Sequence, residues 1–428
     1  MERSGPRTEA GQVTLSNALE PPHNRWAFRN MGVLPSVMTP RGDATTPLHS
    51  PITAPADAGA EAAFDASPLD PVDGEGTLLD ALLADSADGI IVVKIDRAGG
   101  APTPHIVYQR YFSGFSPRDH HLLASITKSV LSLAAGQMIS EGLLDPARPV
   151  AAYLPELASS GGFGEVALAE AMNMSTALDF SEDYANLAPG SVHLEYFRRI
   201  GLTPSYDLMQ LDPATDPTPR GVRRFLPRFG RQAAVGPGEV FEYQSPNADV
   251  VGWIIERVSG RALQEVVSER IWAPLGAAHD AFMVTDLDFD PIATGGLNAT
   301  LPDLARLGAC LLQDGMVDGR QVVPAAWVRD IPSLTDADRA RVTRSQYKEP
   351  GGELYDGALE GYRNFWWIHD AARGIYTARG VFGQMLYIHR AADVAIATVS
   401  SAPIASNAGR PSFHVKLRAL ERLAEGLA

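Results

Sequence analysis

The chain has 428 residues, 45% hydrophobic and 20% charged, and its mean hydropathy of -0.07 belongs to a globular protein rather than a disordered or fibrous one. Its length supports a large core in one big domain with an insertion, or in two domains. A formal charge of -15 excludes nucleic acid as an expected partner, since a polyphosphate needs a positive surface to displace its counterions. A single cysteine, Cys310, leaves no intrachain disulfide to form, and its neighbours Leu307, Leu311 and Leu312 mark it as a core thiol.

Met1-Glu2-Arg3-Ser4-Gly5 begins no charged-then-apolar leader, and no apolar run is long enough to span a bilayer, so the expectation is a cytoplasmic protein without a membrane partner. Residues 1–75 are rich in Pro, Ala, Gly, Ser and Thr and read as an extended arm, with an island at Arg25-Trp26-Ala27-Phe28 apolar enough to dock on the body. Residues 76–428 are expected to form the main domain. A short helix at Leu78–Leu83 precedes two β-rich runs, Gly89–Val93 and Ile106–Phe112, separated by turn residues and read as a hairpin. From Ser125 a helical pattern runs to about Leu144, and a mainly helical lobe over roughly 145–285 follows, interrupted by loops such as Leu211–Gly221. Two further β-rich runs, Gly383–Ile388 and Val394–Val399, precede an amphipathic helix from Phe413 to Leu427. Strands near both ends with helices between them suit an α+β (α/β) fold, an antiparallel sheet carrying a helical insertion.

Ser125-Ile126-Thr127-Lys128 places a serine and a lysine one helical turn apart at a helix start. A serine hydroxyl becomes a nucleophile when a base takes its proton, and a lysine can do so once burial lowers its pKa. A capping serine and a solvated lysine would give the same letters. The chain, however, has four lysines among 36 basic residues, and here it keeps the cation able to release a proton. Tyr243-Gln244-Ser245, between a Gly/Pro turn and a helix start, could relay a proton or simply be a buried aromatic. Asp119-His120-His121 lacks further ligands at metal spacing. Trp366-Trp367 reads as core or as cleft lining.

In order and spacing, Ser125-x-x-Lys128, Tyr243-x-Ser245 and the later Gly-rich strand resemble the class C β-lactamases, penicillin-binding proteins and related esterases. The nearest likeness is to the 6-aminohexanoate-dimer hydrolase branch, which has Y-x-S where the lactamases have Y-x-N. Arg25-Trp26-Ala27-Phe28, Asp179-Phe180-Ser181-Glu182-Asp183-Tyr184, Asp303–Gly308, Phe365-Trp366-Trp367 and Gly383-Gln384 extend the resemblance over most of residues 20–425. It implies a β-lactamase/transpeptidase-like fold, with Ser125 acylated, Lys128 as base and Tyr243 as proton shuttle. It further implies oxyanion donors in the backbone of Ser125 and Val381, and substrate contacts from Tyr184, Ser245 and Phe382. No cofactor or metal is implied, the partner is a small-molecule ester or amide, and a homodimer stays open. Two departures shift the substrate expectation. The lactamases' K-T-G is replaced by Ala378-Arg379-Gly380, with Arg379 a partial substitute for the lysine, and a histidine of the amide-hydrolysing relatives is replaced by Phe382, which makes the pocket more apolar. Acyltransferase, β-lactamase or D,D-peptidase, and silent binding module are the alternatives on the same residues.

Overall fold

The computed structural model describes residues 7–8, 11–13, 17–42, 58–98, 100–182, 191–201, 221–345 and 359–428. Tyr184 and residues 211–220 lie outside the described residues.

Two antiparallel sheets organise these residues. The larger has seven strands in the spatial order Gly361–Arg363, Trp366–Asp370, Ile375–Gly380, Gln384–His389, Val394–Ser400, Ala87–Asp96 and Thr103–Tyr111. The expected hairpin is present, and the last strand pairs with its first member from Val394↔Lys94 to Ser400↔Ala87. Ile90–Val93 and Val394–Val399 are almost uninterrupted apolar runs because both sheet faces are covered, so each alternate residue enters a different core. Ile90, Val92, Met385 and Ile396 pack with Phe413 and Leu420 of the helix Pro411–Gly426. Ile91, Val93, Leu386 and Ala397 share the opposite core with Leu304 and Leu311 of the helix Leu301–Leu312.

The helix Ile126–Ser140 lies in that second core and is buried on every side from Ile126 to Met138, which is why it shows no polar stripe. Gly136 makes this possible: a Cβ there would stand 2.3 Å from Cδ2 of Trp327. The helix stops before the expected Leu144, where Gly142 turns to φ 73°.

A smaller sheet runs Ser36–Thr39, Ala281–Val284, Leu297–Thr300, His120–Leu122. Its first strand comes from the stretch read as an arm, in register from Ser36↔Val284 to Thr39↔Ala281. That stretch is therefore stitched to the body by backbone hydrogen bonds as well as docked. Its apolar island is the helix Asn24–Arg29, in which Phe28 is fully buried. Arg25 Nε meets Asp88 Oδ1 at 3.1 Å and Arg29 pairs with the same carboxylate. Among the described residues no helix is long and apolar enough to cross a membrane.

Candidate active site

Ser125 sits in a turn held from several directions. The Leu123 N–H donates to Leu297 O at 2.9 Å. Thr127 Oγ1 donates to Ala124 O at 2.7 Å and accepts from the Leu297 N–H at 3.0 Å. Ala124 is thereby kept at φ 46°, a left-handed conformation that costs a residue with a Cβ and persists only where the surroundings enforce it. Ser125 is the N-cap residue of Ile126–Ser140 yet makes no side-chain capping bond. Its hydroxyl is engaged elsewhere.

Lys128 Nζ lies 2.7 Å from Ser125 Oγ and 2.6 Å from Thr294 O. The lysine is 1% exposed, and among the described residues no carboxylate is in ion-pair contact with it. Burial pulls its pKa down to about 8, against the more distant Glu182 and Asp249, which favour the ammonium. At neutral pH this favours the free amine more than in an ordinary lysine. Asp249 reaches the same spot through the backbone: Oδ1 accepts from the Thr294 N–H at 3.1 Å and Oδ2 from the Tyr196 hydroxyl at 2.5 Å. Burial raises its pKa to about 7, opposed by the Tyr196 bond and by Lys128.

Tyr243 completes the group. Its ring centroid is 5.1 Å from Lys128 Nζ and its hydroxyl is hydrogen-bonded with Ser125. Burial first, and then the charge of Glu182, raise its pKa well above the ordinary phenol value, so it stands as a neutral proton donor. Trp367 stacks on it at 5.2 Å and 23°, while Trp366 turns to the core against Tyr376. The two tryptophans thus divide between site and core. Ser245 belongs to the cavity wall, but its N–H and Oγ–H both donate to Glu182 at 2.5 Å.

Opposite Ser125 the strand Ile375–Gly380 ends in a turn. Gly380 is required there, since a Cβ would lie 2.4 Å from Leu123 O and 3.0 Å from Ala124 Cβ. Strand alternation sends Arg379 to the other face, where Nε donates to Thr377 Oγ1 at 3.0 Å, a second nitrogen lies 2.8 Å from His369 Nε2, and the guanidinium covers Trp367 at 5.0 Å. Phe382 has φ 63°, its N–H donates to Ala405 O at 3.0 Å, and its ring meets Phe28 at 4.9 Å. Val381, Phe382 and Ser125 line one cavity of about 130 Å³. Tyr243 lines a neighbouring polar cavity with Asp179, Ser181, Glu182 and Glu242.

His120 and His121 belong to the strand His120–Leu122. His120 Nε2 lies 2.7 Å from Asp280 O, and His121 Nε2 lies 3.3 Å from Asp88. Among the described residues no cluster of metal-ligating side chains occurs. Cys310 is buried, and burial pushes its thiol up to about 12. Sequence reasoning passed over Asp249 and the Thr294 carbonyl. A buried acid in the first turn of Pro246–Ser259, six residues after Tyr243, was the available signal for the first; a backbone carbonyl leaves none.

A serine and a depleted-charge lysine at the head of a buried helix, facing the end of an antiparallel strand, define a class of enzyme. Residues 101–416 match the family model described as Beta-lactamase, and the chain belongs to that family as a serine hydrolase. More particularly, it is 32% identical over 405 residues to the 6-aminohexanoate-dimer hydrolase of Paenarthrobacter ureafaciens, spanning 93% of this chain and 90% of that one. The lovastatin esterase of Penicillium rubens is 28% identical over 191 residues, 42% of each chain. A solved structure from Bacillus anthracis, provisionally named a 6-aminohexanoate-dimer hydrolase, shares the fold with a TM-score of 0.79 at 24% identity, covering 99% of this chain and 98% of that one.

Proposed function

We propose that this enzyme hydrolyses a linear carboxylic ester or amide through an acyl-enzyme on Ser125. The observation that carries the reading is the 2.7 Å approach of Lys128 Nζ to Ser125 Oγ, made by a buried lysine titrating near 8. Neutral Lys128 takes the Ser125 proton as Oγ attacks the carbonyl carbon, and the resulting oxyanion is met by the amides of Ser125 and Val381. The strained backbone of Ala124 and of Phe382 adjoins these two donors, which fits amides aimed in advance. Tyr243, kept protonated by burial, hands its proton to the departing alcohol or amine and recovers one from the Lys128 ammonium. Water then attacks the acyl-enzyme, with the proton transfers reversed.

Ala378 stands where the lactamases have the lysine of K-T-G, which favours linear substrates over carboxylate-bearing lactams. Intact-mass measurement after p-nitrophenyl acetate, with nitrophenol release followed in parallel, tests the reading. Wild type should gain one acetyl group with a burst, and Ser125→Ala should show no adduct and lose on the order of 10⁶ in kcat. Equal turnover by the two proteins would sink the proposal.

A further inference from the structure

We infer that the N-terminal segment is a working wall of the acyl pocket, and that this wall selects an uncharged aliphatic acyl chain whose length Leu19 limits. The inference rests on the acyl-enzyme proposed above. The cavity at Ser125 is bounded by Leu19, Leu122, Phe197, Ile200, Ile292 and Phe382. Its polar side chains are the hydroxyls of Ser125, Ser245 and Thr294, and that of Ser245 is held by Glu182. A carboxylate or ammonium entering it would lose water and meet, among the described lining residues, no opposite charge, an expensive exchange; an alkyl chain would gain by burial.

The position of Tyr243 decides which half of the substrate enters. Tyr243, the proposed acid for the leaving group, lines the neighbouring polar cavity, whereas Ser125 lines the apolar one. The leaving group is therefore directed there, and the acyl chain into the apolar side.

Leu19 is well held for such a role. The Glu20 N–H donates to Asn17 O and the Asn24 N–H to Glu20 O, each at 2.9 Å, so Leu19 sits in a hydrogen-bonded turn. Asn24 Nδ2 then donates to Ser401 O at 3.2 Å and Ala402 O at 3.0 Å, fastening the segment to the loop that carries Ala405, itself part of the cavity wall and acceptor of the Phe382 N–H. Wall and turn form one unit.

The test is a series of p-nitrophenyl esters from acetate to decanoate, with wild type, Leu19→Ala and Leu19→Trp, plus the hexanoyl and 6-aminohexanoyl esters compared on wild type. Leu19→Ala should raise the decanoate-to-butyrate ratio of kcat/KM at least about tenfold, Leu19→Trp should shift the preference toward acetate, and hexanoyl should exceed 6-aminohexanoyl by about tenfold. Identical chain-length profiles in the three proteins, or a preference for the charged ester, would overturn the inference. Acetylation of Ser125, read by mass in each protein, separates the two readings: normal acetylation with unchanged profiles removes the pocket wall alone, and no acetylation of wild type removes both.

Discussion

Lys128 and Lys416 are equally hidden, at 1% and 0% exposure, and they serve opposite faces of the same seven-stranded sheet. Lys416 Nζ meets Asp85 Oδ2 at 2.5 Å, while Arg410 takes Oδ1 at 3.0 Å. Burial opposes the charge of Asp85, yet the two cations hold its carboxyl below the ordinary range. The same ammonium donates to Gly383 O at 3.0 Å, bracing from behind the turn that carries Val381 and Phe382. Lys128 has its carboxylates only at a distance, so burial prevails and its proton becomes labile. Burial lowers the pKa of Lys416 as well, but its ammonium is held against the Asp85 carboxylate, whereas Lys128 faces the Ser125 hydroxyl and the Thr294 carbonyl.

The sharpest way to break this comparison is to remove each ammonium. Lys128→Met should lower kcat/KM by about 10⁴ or more with thermal stability unchanged or raised, because a buried ammonium with no contacting carboxylate leaves the core; a melting temperature that falls together with activity would make Lys128 structural. Lys416→Met should do the reverse. It leaves the buried Asp85 Oδ2 without its cation and should cost about 3–5 kcal/mol in denaturant unfolding, with kcat largely retained at a temperature where the variant stays folded. The smallest effect concerns Asp249. Its negative charge favours the Lys128 ammonium, so Asp249→Asn should move the acid limb of the kcat/KM profile from about 8 downward by about one unit. A limb that stays put or moves upward would show that Asp249 does not act on the base.

Scarcity of lysine pointed to Lys128 in the sequence, but Lys416 is as scarce and as buried, and only contacts tell the two apart. The hairpin Ala87–Tyr111 and the late strands were readable because each follows a local apolar pattern bounded by turns. Ser36–Thr39 was not: two of its four residues are exposed, and its strand character comes from pairing with Ala281–Val284, a partner distant in sequence. Ser125, Lys128 and Tyr243 announced themselves through spacing and family likeness. Glu182 and Asp249 act through hydrogen bonds to Ser245 and Thr294, and such partners are set by the fold rather than by any local pattern.

The pairing of Val394 with Lys94, 300 positions earlier, gives the enzyme a timetable. During synthesis the segment holding Ser125 and Lys128 leaves the ribosome long before Gly380 and Val381, and the sheet that brings the latter to the former closes only when residues near 400 have emerged. A nascent chain therefore carries Ser125 and Lys128 for most of translation without the strand end that faces them. Hydrolytic power should arrive in a single late step, and an interrupted chain should be inert rather than partly active.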